Sequence, residues 1–288
     1  MKKILRHKFT ESKRANLETL SHYLGRRDKC IERLNSGKSM NFSALKDNHL
    51  KIISTRYFNK IDIPPTSDYL DYLNLGLVHF DQVACTADEL KVNIYNKEFI
   101  VQSVESDYGA DFNTAYQLYN VANILKSTNH KRKIVEYDLP FSTQVSPPFW
   151  KAIFEYLQLL ENNKNDERIK KYEEISDLAK SDTTLFIGIE ENKIIQRNGT
   201  SLIRQIYHYP LVSLYEHIAT NKQLDFDRNL EEYLENKKAH IIENEKNDDP
   251  RYWIDFNLLG VLTFAKSCGL SINLETDYAP KELYLLDI

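Results

Sequence analysis

Glycine is scarce, at 8 of 288 residues, or under half of the roughly 7% average of soluble proteins. Proline is equally rare, at 8. An all-β fold needs a tight turn about every 8–12 residues, and dinucleotide-binding loops need glycines in a fixed pattern. Neither suits a chain so poor in turn-makers. Cysteine is scarcer still. Cys30, Cys85 and Cys268 are odd in number and far apart, which implies neither a disulfide framework nor zinc pairs. They read as buried or free thiols in a reducing compartment. No stretch approaches the roughly 18 apolar residues of a membrane span. The opening Met1-Lys2-Lys3-Ile4-Leu5 looks like the basic start of a signal peptide, but Arg6, His7 and Lys8 follow it. A signal needs an apolar segment of roughly 7–15 residues there, so a cytoplasmic location with no membrane contact is expected.

Catalytic patterns are missing as well. There is no Gly-x-x-x-x-Gly-Lys-Ser/Thr, no Gly-x-Gly-x-x-Gly, no His-Glu-x-x-His and no Gly-x-Ser-x-Gly. The histidines at 7, 22, 49, 79, 130, 208, 217 and 240 never fall three or four apart, so no pair shares a helix face as metal ligands by spacing alone. Adjacent acids such as Glu173-Glu174 and Glu231-Glu232 point about 100° apart on a helix and form no dyad. Cys268 falls near a helix C-terminus, where the dipole disfavours a thiolate. No enzyme activity, catalytic residue, metal or cofactor is expected.

What is present supports a large core. Apolar residues make up 42% and charged residues 28%, outside the range of disordered chains. At 288 residues the chain is one large domain or two closely packed ones. The net charge of −4 disfavours direct nucleic-acid binding, which shows as basicity. The charge is also unevenly placed. Residues 1–38 hold eleven Lys/Arg against four Asp/Glu, a net +7, which leaves −11 on the remaining 250. Residues 225–249 hold nine acids against four bases. The ordinary reading of such a run is a solvated helix face. The functional reading is an acidic surface that steers and docks a basic partner.

Periodicity organises the chain into helices. Leu17, Leu20, Leu24, Ile31 and Leu34 form one stripe over 12–34. Further helices are expected at 45–58, 67–86, from Asp111 onward, from Pro148, at 165–180, at 200–220 with a break at Pro210, at 225–246, and after Pro250 with Trp253, Phe256, Leu259, Leu262 and Ala265 inward. Residues 90–104 alternate instead, which predicts a hairpin turning at Asn96-Lys97. Residues 185–196 fit either a second hairpin or a frayed helix. The polar run at 127–132 and the segment 140–148 read as the longest irregular connection, dividing the chain into halves 1–139 and 140–288. Gly269 is placed to end the last long helix, and 270–288 reads as an extended tail. The sum is a mainly α fold, an irregular bundle of eight to ten helices with one or two small β-hairpins and no solenoid repeat.

The C-terminal third carries a resemblance. It rests on Pro210-Leu211-Val212-Ser213-Leu214-Tyr215, on residues 226–234, on Asp248-Asp249-Pro250, on residues 256–265, on Gly269-Leu270-Ser271-Ile272, and on the closing Thr276-Asp277-Tyr278-Ala279-Pro280-Lys281-Glu282-Leu283. These resemble the immunity protein 49 family of bacterial polymorphic-toxin systems, most strongly over about 205–285. Ala279 stands where that family usually has a larger apolar residue. Tyr252-Trp253 and residues 278–283 are similar also to the immunity proteins of polymorphic DNase toxins.

Either resemblance implies a protein that binds and neutralises a cognate toxin. The acidic run at 225–249 and the expected cytoplasmic location point to a toxin that is basic and acts in the cytoplasm. Trp253, Asp277, Tyr278 and Pro280 are then expected to be structural, with Tyr278 and Pro280 fixing the tail and Asp277 accepting local backbone N–H groups. The expected toxin-binding patch is Tyr233 with Asp227, Glu231 and Glu235, acids spaced four apart on one helix face. The alternative reading is a helical scaffold or regulatory protein that binds another protein or peptide.

Overall fold

The computed structural model describes residues 2–5, 17–37, 42–58, 64–85, 87–103, 111–137, 148–181, 189–190, 193–194, 203–244 and 253–284. Among them lie eleven α-helices and three two-stranded sheets. The fold is mainly α, as the periodicity predicts, and no described helix is long and apolar enough to cross a membrane.

The amino-terminal region holds β1 (Lys2–Ile4), α1 (Leu17–Asn35), α2 (Phe42–Phe58), α3 (Thr66–Ala84), the strands β2 (Glu89–Ile94) and β3 (Lys97–Gln102), α4 (Phe112–Ile124) and α5 (Thr128–Val135). The β2–β3 pair is antiparallel, with Val92 opposite Phe99 and Ile94 opposite Lys97. Alternation buries Val92, Ile94, Phe99 and Val101 against Leu34, Phe42 and Leu75, while Ile100 points outward. The hairpin turns at Tyr95 and Asn96, both at positive φ (53° and 59°). That is one residue before the expected Asn96-Lys97 and matches the two-residue turn that favours a tight hairpin. Asp111 caps α4, accepting a hydrogen bond from the Thr114 N–H at 2.7 Å.

The run at 127–132 is not an irregular connection. It forms α5, a polar helix that buries only Ile134 and Val135, so its short apolar edge left no periodic signal. The expected connection at 140–147, residues 12–16 of the first predicted helix, and residues 245–249 of the acidic run lie outside the described residues.

The carboxy-terminal region holds α6 (Pro148–Glu161), α7 (Asn165–Lys180), the pair β4 (Ile189–Glu190) and β5 (Lys193–Ile194), then α8 (Tyr209–Ala219), α9 (Gln223–Glu243), α10 (Phe256–Ser267), β6 (Leu274–Thr276) and α11 (Lys281–Tyr284). Of the two readings of 185–196, the hairpin is the one observed. On α7, Ile175 and Ala179 are buried, while Ile169 is 42% exposed. Pro210 has no N–H to give to the carbonyl four residues back. The chain meets this with a π-helical segment at Arg204–His208, in which the Tyr209 N–H reaches the Arg204 carbonyl. Trp253 precedes α10 rather than lying within it, and α10 ends in a Schellman motif. Gly269 sits at φ +87°, its N–H donates to the Lys266 carbonyl at 3.1 Å, and the Leu270 N–H donates to the Ala265 carbonyl at 3.0 Å.

One hydrophobic core runs through both regions, from Ile4 and Tyr72 through Tyr116, Tyr156 and Tyr215 to Leu262 and Tyr284. Helices α4 and α10 cross at its centre. A Cβ on Gly260 would stand 2.3 Å from the Asn120 carbonyl oxygen, so only glycine permits the approach. The tail is tied in by a pairing that the sequence does not announce. β1 and β6 form a parallel pair, with Lys2 opposite Leu274 and Ile4 opposite Thr276.

Candidate functional site

Helix α9 carries most of the predicted site. Its apolar positions Phe226, Leu230, Leu234 and Ile241 are buried, which turns the acids at 227, 231 and 235 to the other side. Glu231 and Glu235 are 41% and 58% exposed and jointly hold the ammonium of Lys2, at 3.2 Å in the case of Glu235. Asp227 is tied more firmly. It accepts from the Gln223 side-chain amide and from that of Asn273, both at 2.9 Å. Gln223 in turn clasps the Ser271 backbone through its N–H and carbonyl, again at 2.9 Å each. Asp227 therefore anchors the tail as well as facing outward.

Tyr233 does not share that surface. It is 1% exposed, and its hydroxyl donates to the Asp255 carboxylate inside the protein. The sequence pattern placed it among acids because it neighbours them in the chain. Its position three residues beyond Leu230 puts it on the core side instead.

The inward side of α9 holds the charged groups that sequence reasoning missed. Lys237, four residues beyond Tyr233, donates to the same Asp255 oxygen, and both side chains are only 6% exposed. The Lys237 ammonium lies over the rings of Tyr207, Tyr233 and Tyr278, 5.6, 5.7 and 5.6 Å from their centroids. Such a cage satisfies a desolvated cation further. Asp255 also caps α10, accepting from the Leu258 N–H at 2.9 Å, and its own N–H donates to the Tyr278 carbonyl at 2.8 Å. One carboxylate thus joins α9, α10 and the tail. Burial by itself pushes the Asp255 carboxyl up, but Lys237, Tyr233 and the Leu258 N–H together hold it below the usual carboxylate range. Burial, with the negative Asp255 beside it, pushes the Tyr233 phenol well up.

This pair closes one side of a cavity of about 410 Å³, bounded by α2, α3 and α4 on one side and by the π-helical segment, α8, α9 and α10 on the other; Tyr72, His208 and Phe256 are among its walls. Burial pushes the His208 imidazole down to about 4, with Asp255 opposing the shift and Lys237 adding to it. The Lys237–Asp255 pair cancels its own charge, so these two residues present no net charge to the cavity. A second buried pair stands apart from it. Arg168 grips Glu216 at 3.0 and 3.3 Å, and Tyr156 donates to the same carboxylate at 3.0 Å. Among the described residues no group of three His, Cys, Asp or Glu could hold a metal ion.

The four residues expected to be structural differ in burial. Trp253, Tyr278 and Pro280 are buried, and Asp277 is partly exposed. The Tyr278 N–H is held by the Thr276 hydroxyl at 3.2 Å, one residue before the acid expected to accept in this turn.

These features define a mainly helical protein with charges paired in its interior and a solvent-facing acidic helix side. Residues 145–283, which hold α6 to α10 and most of α11, match the family model described as Immunity protein 49. The match starts some sixty residues before the strongest sequence resemblance and favours immunity protein 49 over the immunity proteins of DNase toxins. It contains Lys237, Asp255 and Tyr278, and Lys2 lies outside it. No curated protein and no solved structure matches the chain.

Proposed function

We propose that the protein binds a cognate toxin in the cytoplasm and neutralises it by stoichiometric occlusion, in the manner of a polymorphic-toxin immunity protein. The acidic face of α9 meets a basic toxin domain and covers or locks its active site. Binding needs no cofactor and no turnover, and neither nucleic acid nor membrane takes part. The observation that carries this reading is the pair Glu231 and Glu235. They are exposed, a helical turn apart, and already seat a lysine ammonium from elsewhere in the chain, which is the contact a basic partner would make. A stable complex would bury about 1,600 Å² or more, so the face is one part of a larger interface, with steering as its first contribution.

Co-expression with a cognate toxin, scored for survival and co-purification, tests the reading. Protection together with a stoichiometric complex is the expected result. Protection without any complex would point to a regulator acting at a distance, and neither protection nor a complex would remove the reading.

A further inference from the structure

We infer that Lys2 is a built-in competitor for the acidic face: strand β1 holds its ammonium on Glu231 and Glu235, and a basic partner docks by displacing it. The inference rests on the docking role of that face and adds its regulation. Lys2 reaches the two carboxylates from 229 and 233 positions away in sequence, so no local helix geometry brings them together; the β1–β6 pairing does. That pairing is short, with three residues per strand, and within residues 2–5 only Ile4 is buried. The Lys2 side chain is 50% exposed, so water and a competing cation can both reach it. Exposed pairs of this kind are weak and salt-sensitive, which makes the ammonium exchangeable while Ile4 stays anchored.

A tethered cation competes at an effective concentration near the millimolar range. The face is therefore open only part of the time, and any partner's apparent affinity falls by that fraction. A single free cation gains little against such a competitor. A partner that brings several cations at once, as a basic protein surface does, displaces Lys2 readily.

The test uses the full chain and hexalysine as probe, at low ionic strength. Variants are Lys2→Gln, Lys3→Gln as a net-charge control, and Glu231→Gln with Glu235→Gln in both the natural and the Lys2→Gln backgrounds. Lys3 lies opposite Glu275 in the strand register, so its loss removes the same charge without freeing the two carboxylates. The expected result is that Lys2→Gln tightens hexalysine binding about two- to fivefold, that Lys3→Gln changes it less, and that the double glutamine variant abolishes the gain. Hydrogen exchange at Leu274–Thr276 should stay at the natural rate in Lys2→Gln. If Lys2→Gln leaves binding unchanged or weakens it while the double glutamine variant still abolishes it, the competitor is overturned and the docking face stands. Equal gains in Lys2→Gln and Lys3→Gln would reduce the effect to net charge and overturn it too. If the double glutamine variant binds as the natural chain does, the face itself is not the site.

Discussion

Two lysines sit on opposite sides of one helix, and each is held by carboxylates. Lys237 is sealed in with Asp255 at 6% exposure on both sides, under three tyrosine rings. Lys2 lies half in water on Glu231 and Glu235. The chemistry is the same and the consequences are opposite. A buried pair has given up its hydration and cannot lose a partner cheaply. An exposed pair retains most of its hydration, contributes little to folding, and can exchange one cation for another. The inward side of α9 therefore holds the fold, and the outward side is free to serve recognition.

The comparison breaks most visibly at Asp255. Its replacement by alanine leaves the Lys237 ammonium buried without its carboxylate and removes the cap of α10. The expected loss is about 3–5 kcal/mol plus roughly 1 kcal/mol for the cap, measured by urea unfolding. A Tm within a degree of the natural protein would show that the pair is not a keystone. Replacing both partners with apolar residues, Lys237→Met with Asp255→Leu, sharpens the point. If desolvation is what makes the single change costly, the double variant recovers about 2 kcal/mol or more, and a strictly additive loss would contradict that.

Acidification probes the same interior. Burial pushes His49, bonded through Nε2 to the Tyr95 hydroxyl at 2.7 Å, and His208 each down to about 4, against about 6.5 in an unfolded chain. Between those values the unfolded state binds more protons. Stability is full above about pH 6.5 and falls as pH drops toward 4, by about 1–3 kcal/mol per histidine. The held-down Asp255 carboxyl adds a further loss below its unfolded value, near 3.9. Urea midpoints between pH 7 and 4.5 measure the slope. His49→Gln should flatten it, and an unchanged slope would exclude that histidine. The smallest effect belongs to the outward side: Glu231→Gln with Glu235→Gln should move Tm by no more than about 2 °C.

Much of this architecture is legible in the sequence. The helices expected from Asp111, from Pro148, around Pro210 and at 225–246 are found as α4, α6, α8 and α9, because each meets the core along one face. Asp111 and Gly269 announce helix ends through local backbone chemistry that needs no tertiary context. The misses share a cause. β1 and β6 are three-residue strands at distant points of the chain, too short to show a period. α5 has no apolar stripe. Lys237 was visible, since it continues the inward series Leu230, Tyr233, Leu234; a lysine at a core position asks for a buried acid, but nothing in the sequence names Asp255 as that acid. Tyr233 was placed on the acidic surface by adjacency, and the same spacing argument, applied strictly, puts it inside. Glu231 and Glu235 were found as acids, while the cation they hold comes from a segment that looked like the start of a signal.

The most direct test is the charge reversal of the exposed pair alone, Glu231→Lys with Glu235→Lys, co-expressed with the cognate toxin. Asp227 is left intact because it secures Asn273 and, through Gln223, the tail. The expected result is a protein that folds with a near-natural Tm, no longer co-purifies with the toxin, and fails to protect the cell. Full protection and an undiminished complex from that folded variant would contradict it.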